Sequence, residues 1–259
     1  MAEFKTWRAY QIFEHAVRRH NRYLHDPEVM QFLSAAALTA EKRRLNISKG
    51  QPLWRARLGH EWEQKQHADC EYPIEVPCPF EANELMPLVD KAVEGRVNPK
   101  GISCLYLATT ERAAISEVRP WTGSLVSVGI LKTEYELSVI DCSKQHEGVS
   151  FYMEEPCPEE REIAVWKDID RAFAEPVLRT DDVAEYVPTQ ILAELFRSIG
   201  AHGVAYKSAF GEDGYNVALF NTTAAQVSSC HLFKVTGVEL SYRNEDNSYF
   251  GKPLKDGGA

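Results

Sequence analysis

The sequence predicts an α+β fold, with a mixed, mainly antiparallel β-sheet and helices, preceded by an N-terminal pair of helices. Helical patterns mark the first 44 residues and three later segments, whereas short strand patterns cluster between residues 102 and 242. The strands alternate with helices too rarely for a doubly wound parallel sheet. With 259 residues and 44% hydrophobic content, the chain can bury one sizeable core and carry a smaller appended element.

Two amphipathic helices are predicted at the N-terminus. Between residues 4 and 20 apolar residues recur close to helical spacing, and basic residues cluster at the end. A second helix is predicted from 27 to 44, with Asp26 as its N-cap and Val29 as the first residue of its buried stripe. The two form a hairpin that cannot bury both stripes alone, so it must pack on the rest of the chain or on another subunit.

The chain therefore divides into an N-terminal helical hairpin, residues 1–50, and a main domain, residues 51–259. The main domain begins with a proline-rich and acidic stretch, 59–94, which predicts a long crossing loop with one short helix near 84–93. Such a loop either caps a ligand or simply covers the surface, and the sequence leaves both readings open.

The remaining elements follow from alternation, helical spacing and turn residues. Thr110 is the predicted N-cap of the first helix, and Pro176 ends the second. The predicted helices are 110–119, 159–175 and 189–199, and the predicted strands are 102–108, 124–133, 137–141, 203–208, 215–221 and a final pair within 232–242.

Charge excludes some classes of protein. A net charge of −9 and a pI near 5.5 argue against a general binder of nucleic acid or anionic membranes, because such proteins gain affinity by replacing counterions with lysine and arginine. A small anionic ligand is still compatible with this charge if a few cations converge locally. The candidates are Arg55, Arg57, Arg96, Lys100 and Arg119.

The N-terminus and the cysteines predict a cytoplasmic protein. Charged residues interrupt the first 17 positions, unlike the apolar centre of a signal peptide, and no run approaches the length of a membrane span. The six cysteines include no Cys-x-x-Cys pair, which favours reduced thiols. Cys70 and Cys78 lie near His60 and His67, but their spacings fit no familiar zinc motif, so no metal site is predicted.

The segment from Gly95 to Val118 carries the most chemistry. It places Arg96, Tyr106 and Glu117 on a predicted turn, strand and helix in succession. A guanidinium can bind a diphosphate, a phenol can stack on a flat heterocycle, and a carboxylate can stabilise a cation that develops on a ribose. This combination suggests a dinucleotide whose glycosidic bond is broken.

The same segment resembles the RES domain, a family that has an ADP-ribosyltransferase-like fold and consumes NAD. The matching pieces span roughly residues 52 to 240. They are the Gly-Arg-x-Asn-Pro-x-Gly turn from Gly95, Leu-Tyr-x-Ala at 105–108, Ala-x-x-Glu-Val at 114–118, and the segments 188–193, 203–208 and 216–220. The resemblance implies a split β-sheet and makes residues 51–259 an NAD-binding catalytic domain, with no metal required.

The resemblance also implies roles for individual residues. Arg96 would orient the diphosphate, Tyr106 would pack against the nicotinamide end, and Glu117 would stabilise the ribosyl cation. Ser208 would bind the carboxamide or a phosphate, and Arg55 and Asn216 complete the implied NAD-binding set: Arg55, Arg96, Tyr106, Ser208 and Asn216.

The acceptor of the ribosyl group is open at the level of sequence. Inorganic phosphate would make the protein an NAD phosphorylase, water a glycohydrolase, and a protein side chain a mono-ADP-ribosyltransferase. The same fold could also serve as a non-catalytic nucleotide-binding module. The resemblance further implies a toxin that is held inactive by an antitoxin, which is a DNA-binding partner protein. Separately, the apolar stripes of the hairpin are compatible with a homo-oligomer.

Overall fold

Helices form one layer of the molecule. The structure is a computed structural model that describes residues 3–66, 72–88, 91–144, 150–175, 183–210 and 214–242. The α-helices in these ranges are α1 (Ala9–Arg19), α2 (Pro27–Ala40), α3 (Glu111–Glu117), α4 (Pro158–Ala174) and α5 (Val187–Ser198). In that described part, no helix is both long and apolar enough to cross a membrane.

The strands form one large sheet and a separate hairpin. They are β1 (Arg44–Ile47), β2 (Pro52–Leu58), β3 (Glu61–Lys65), β4 (Ile74–Cys78), β5 (Leu105–Ala108), β6 (Leu125–Thr133), β7 (Leu137–Cys142), β8 (Gly203–Lys207), β9 (Tyr215–Leu219) and β10 (Ala225–Lys234). The large sheet runs β1-β7-β8-β9-β5-β2-β6-β10, and β3 pairs with β4. Only β7 and β8 are parallel neighbours; the other pairs of this described sheet are antiparallel. The predicted α+β class with a mixed, mainly antiparallel sheet is confirmed.

The hydrophobic core has two main clusters. On the helical side, Phe13 of α1 stacks on Phe32 of α2 with ring centroids 4.4 Å apart, and Trp166 of α4 stacks near Phe196 of α5. The second cluster consists of strand side chains, including Leu105, which is fully buried. Burial of these large side chains supplies most of the stabilisation of the fold, because each contributes roughly 1.5–3 kcal/mol.

The N-terminal hairpin packs on the main domain. α1 and α2 contribute to the same core cluster as α4, α5 and the helix-facing strands. Asp26 caps α2 as predicted, since its side chain accepts a hydrogen bond from the Val29 amide at 2.9 Å. α2 ends at Ala40 and not at residue 44, because the chain turns and Arg44–Ile47 pairs with β7 as an edge strand. β1 thus lies before the predicted boundary at residue 50, and the division into two units stays a prediction.

Two other predicted elements differ from the structure. The stretch 59–94 contains the β3–β4 hairpin, and its described residues near 84–93 form turns and not an α-helix. The final strand pair predicted within 232–242 is a single strand, β10, which begins earlier and pairs with β6. Both β3 and β10 lack a fully buried face, so their side chains carry little of the alternation that marks a strand.

Candidate active site

α3 is short and lies close against the sheet. Thr110 caps it as predicted, accepting a hydrogen bond from the Ala113 amide at 3.1 Å. Ala113 and Ala114 form its buried face beside β2. Gly214 permits this approach, because a Cβ added there would lie 2.4 Å from the Ala113 Cβ. The close packing brings Glu117, the last residue of α3, over the ends of β8 and β9.

Glu117 is held by two buried side chains. Its Oε1 accepts a hydrogen bond from Ser208 Oγ at 2.8 Å and another from Asn216 Nδ2 at 2.6 Å. Ser208 and Asn216 are 4% and 7% exposed, whereas Glu117 itself is exposed. The second oxygen, Oε2, accepts no hydrogen bond from the described residues. Two donors thus orient the carboxylate and leave one oxygen available for other contacts.

Tyr106 faces away from the neighbouring core residues of its strand. Leu105 and Leu107 are buried on one side of β5, and the Tyr106 ring lines a cavity on the other. Its hydroxyl donates to Asn98 Oδ1 at 2.6 Å and accepts from the Val97 amide at 3.0 Å. Burial raises the pKa of this phenol well above its usual value. The hydroxyl therefore holds the turn 95–98, and only the ring is presented to the cavity.

Arg96 connects that turn to the end of α4. Its guanidinium donates hydrogen bonds to the carbonyls of Phe173 and Glu175 and lies over the Tyr206 ring, 5.6 Å from the centroid. Burial is also the largest cause of the raised pKa of the Tyr206 phenol. The guanidinium has five N–H donors, so donors remain after these two bonds.

The segment 188–193 has a structural task that the sequence did not suggest. Gln190 Nε2 donates to the carbonyls of Gly95 and Asn98, and Thr189 Oγ1 donates to the carbonyl of Arg96 at 2.8 Å. Both side chains belong to α5 and are buried. Together with Tyr106 they fix the turn from which the Arg96 side chain extends.

Arg55 lies on β2 beside Tyr106. Its Nη1 donates to the Tyr106 carbonyl at 2.9 Å. Burial, and then the nearby charge of Arg57, lower the pKa of the Arg55 guanidinium. Arg55 lines two cavities of about 320 and 630 Å³, which Tyr106 also lines, but it does not line the cavity that contains Arg96.

The main site is a cavity of about 590 Å³ at the meeting point of α3, β2, β8 and the turn 95–98. Its size falls within the range of roughly 300–1,000 Å³ that is common for small-molecule pockets. Among the described residues, the charged ones in its lining are Arg57, Arg96, Arg119 and Glu117. Tyr106 and Asn216 also line it, as do three aromatic residues that the sequence did not single out: Tyr186, Tyr206 and Phe210. Of the five cations expected to converge, Arg55 and Lys100 lie outside this lining.

A metal centre has no donor set in the described ranges. No group of three or more His, Cys, Asp or Glu residues there is arranged to hold an ion. Four residues were considered above as zinc ligands, and two of them, Cys70 and His67, lie outside the described residues. Cys104 and Cys142 are buried, which raises the pKa of both thiols.

Comparison with known proteins gives a family match and similar solved structures. One of these structures is the M. tuberculosis MbcT-MbcA toxin-antitoxin complex, with a TM-score of 0.41 and 15% sequence identity over 77% of this chain and 92% of that chain. No curated protein matches the chain. The RES domain family model matches residues 52–236, which is well over half of the sequence. The chain therefore belongs to the RES domain family.

Proposed function

We propose that this protein is an enzyme that consumes NAD by breaking the bond between nicotinamide and ribose. The observation that supports this most is the position of Glu117 at the wall of the cavity, held at one oxygen by Ser208 and Asn216. As the glycosidic bond breaks, positive charge grows on the ribose while nicotinamide leaves as a neutral molecule. A fixed carboxylate stabilises such a charge more than it stabilises the ground state.

The two hydrogen bonds to Glu117 suit this role. They orient the carboxylate before substrate binds, so that little reorganisation is needed when charge develops. Oε2 is the oxygen that would face the ribose, since it accepts no bond from the described residues.

Arg96 and Tyr106 would bind the rest of the dinucleotide. The guanidinium has donors left for a pair of phosphate oxygens, a geometry that a lysine cannot reproduce. The ring of Tyr106 lines the same cavity and offers a flat apolar surface for nicotinamide. Ser208 and Asn216 would act through Glu117, and Arg55 would act by supporting the backbone of Tyr106.

The reaction balances with either of two acceptors. Phosphate would yield nicotinamide and a phosphorylated ADP-ribose, whereas water would yield nicotinamide, ADP-ribose and a proton. A protein acceptor would make the enzyme a mono-ADP-ribosyltransferase. The non-catalytic alternative, a nucleotide-binding module, is less consistent with a carboxylate oriented by two buried donors.

The test is incubation with NAD and measurement of free nicotinamide, with and without phosphate and with and without a candidate acceptor protein. We expect wild type to release nicotinamide, and Glu117→Gln to lose about a hundredfold or more in rate. Glu194→Gln, a change at an exposed glutamate of α5, is the matched control and should retain activity. Binding of NAD without any release of nicotinamide by wild type would support the module instead.

The biological setting that we propose is a toxin of a toxin–antitoxin pair, acting in the cytoplasm. Uncontrolled NAD consumption would stop growth, so a partner protein that blocks the cavity would be needed. Expression of the wild type should lower cellular NAD and arrest growth, while expression of Glu117→Gln should do neither. Growth arrest that is unchanged in the Gln variant would separate toxicity from NAD chemistry.

A further inference from the structure

A second cavity lies behind the strands that carry the candidate active site. Successive residues of a strand point to opposite faces of the sheet. Tyr206 of β8 and Asn216 of β9 line the cavity already described. Their neighbours Ala205 and Tyr215 line another one, the back cavity, which has a volume of about 360 Å³ and a size typical of small-molecule pockets. None of the described residues lines both cavities, so the back cavity is a separate site.

The register of three strands makes room for the back cavity. Asp141 of β7 pairs with Ala205 of β8, which pairs in turn with Val217 of β9. These three residues form a row on one face of the sheet, and all of them line the cavity. Because the middle residue has only a methyl group, space is left between Asp141 and Val217. The edge strand β1 pairs with β7 only as far as Ile140, so it does not close this space.

Hydrogen bonds fix two walls of the back cavity. In the turn after β1, Thr133 Oγ1 donates to the Ser48 carbonyl at 2.7 Å and accepts from the Gln51 amide at 3.0 Å. On the other side, the Thr109 amide donates to the Tyr215 carbonyl at 2.9 Å, and Thr109 Oγ1 accepts from the Tyr215 amide at 3.0 Å. These walls are therefore in place before any ligand arrives, which lowers the entropic cost of binding.

Asp141 is the charged residue among the described residues of this lining. It is 9% exposed. Its Oδ1 accepts hydrogen bonds from the Ser143 amide at 3.0 Å and from the Ser143 hydroxyl at 2.5 Å, whereas Oδ2 accepts none from the described residues. Burial of a carboxylate is unfavourable unless both oxygens have partners. Oδ2 thus offers the back cavity an acceptor that a positively charged donor would satisfy.

The rest of the lining favours an organic cation over other ligands. The described lining includes no lysine or arginine, so an anion would meet only the repulsion of Asp141. A metal ion requires several oxygen or nitrogen ligands, and the described residues include no group of three or more acidic, histidine or cysteine side chains that could hold one. Tyr215 supplies an aromatic ring that attracts cations, and Val217 supplies an apolar surface for a carbon chain.

We propose that the back cavity binds a small organic cation, an amine or a guanidine on a short carbon chain. The cationic group pairs with Asp141 Oδ2, and the chain packs against Tyr215 and Val217. The proposal goes beyond the proposed NAD cleavage and does not depend on it, because it concerns a different cavity on the opposite face of the sheet.

The experiment is calorimetric titration of the full chain with putrescine and agmatine, an amine and a guanidine. Butanediol and succinate are the neutral and anionic probes of similar length. About 0.15 M salt screens diffuse attraction of cations to the surface of a protein with a net charge of −9. The variants are Asp141→Asn, which keeps the acceptor for Ser143 but removes the charge, and Tyr215→Leu. Glu136→Gln, at an exposed acid just before β7, is the control for loss of one negative charge.

We expect at least one of the two cations to bind wild type with one-to-one stoichiometry, and neither butanediol nor succinate to bind. The Kd should rise about tenfold or more in Asp141→Asn, because a charge-assisted contact is lost. It should rise about two- to fivefold in Tyr215→Leu and stay unchanged in Glu136→Gln. Saturating NAD, added to the Glu117→Gln protein so that it is not consumed, should leave the Kd for the cation unchanged.

Several results would overturn the proposal. They are failure of both cations to bind wild type, equal binding of butanediol, a Kd in Asp141→Asn within about twofold of wild type, or displacement of the cation by NAD. If Asp141→Asn were too unstable to measure, Tyr215→Leu would decide, and an unchanged Kd in that variant would contradict the assignment. None of these measurements requires NAD cleavage, so a protein that released no nicotinamide would overturn the proposed function alone.

Discussion

The helical layer and the wall of the cavity use buried polar groups in different ways. In the layer formed by α1, α2, α4 and α5, Arg43 is 5% exposed and donates to Asp170, which has no exposure, and to the Asp141 carbonyl. Its guanidinium also lies 4.0 Å from the centroid of the Trp166 ring. Beside the cavity, Ser208 and Asn216 are similarly buried but donate to a carboxylate that is exposed.

This difference separates stability from activity. The Arg43 to Asp170 pair joins the end of the hairpin to α4 and is buried away from solvent. The bonds to Glu117 face a cavity in which a ligand can replace water. Changes in the first region should therefore act on the free energy of unfolding, whereas changes in the second should act on catalysis.

The largest effect is expected for Arg43→Ala. Removal of one partner of a buried ion pair leaves the other charge without compensation, which costs about 3–5 kcal/mol. The measurement is chemical denaturation followed by circular dichroism. The control is Lys42→Ala, which removes an exposed pair with Glu162 on the same helix α4 and should cost at most about 1 kcal/mol.

A double variant makes the Arg43 test sharper. Arg43→Met combined with Asp170→Leu replaces both charges by apolar side chains and should recover much of the lost stability. If Arg43→Ala were no less stable than Lys42→Ala, the hairpin would not depend on this pair for its attachment.

Next in size is the effect of Asn216→Ala on catalysis. Loss of the 2.6 Å bond removes one of the two donors that the described residues provide to Glu117, so kcat/KM for NAD should fall about 10- to 100-fold. Thermal unfolding should shift by only a few degrees. Asn46→Ala, on the exposed edge strand β1, is the matched control. If a fall in stability accounted for the lost activity, Asn216 would act on the stability of the fold, as the Arg43 pair of the helical layer does, and not on catalysis.

Arg96 belongs to both regions, because it lines the cavity and also binds the end of α4. Lysine keeps the charge but lacks the planar fork, so Arg96→Lys and Arg96→Ala should raise the KM for NAD by similar factors, about tenfold. Lys100→Ala, at an exposed cation of the same connection, should leave the KM unchanged. A Lys variant with wild-type kinetics would indicate a diffuse electrostatic role.

The sequence named residues that lie together in the structure, but it missed the edges of the fold. Glu117, Ser208 and Asn216 were each predicted as site residues, and they are in contact although 91 and 99 residues separate Glu117 from its two donors along the chain. Their roles in the site stay a prediction. β6 was predicted with nearly correct ends, because most of its residues are buried and its apolar side chains mark almost its whole length. β1 and β3 were missed, since β1 depends on its partner β7 and β3 is exposed along its whole length.

The contacts and burial of individual side chains could not be predicted from the sequence. Arg96 was predicted as a phosphate ligand from its place in a turn, but nothing local showed that the end of α4 would accept its hydrogen bonds. Arg43 carries no pattern that distinguishes it from Lys42, yet one is buried and the other is exposed. Both facts depend on how distant elements pack.

The smallest effect on catalysis is expected for Tyr106→Phe. The variant keeps the ring that lines the cavity and loses the hydroxyl that bonds Asn98 and the Val97 amide. The buried amide then lacks a partner, which should lower the free energy of unfolding by about 1–3 kcal/mol. kcat/KM for NAD should stay within about threefold of wild type, because the stacking surface is unchanged. Tyr106→Leu, which removes that surface as well, should lose more activity at similar stability. If the Phe variant lost as much activity as the Leu variant, the hydroxyl would act on the substrate and not only on the turn.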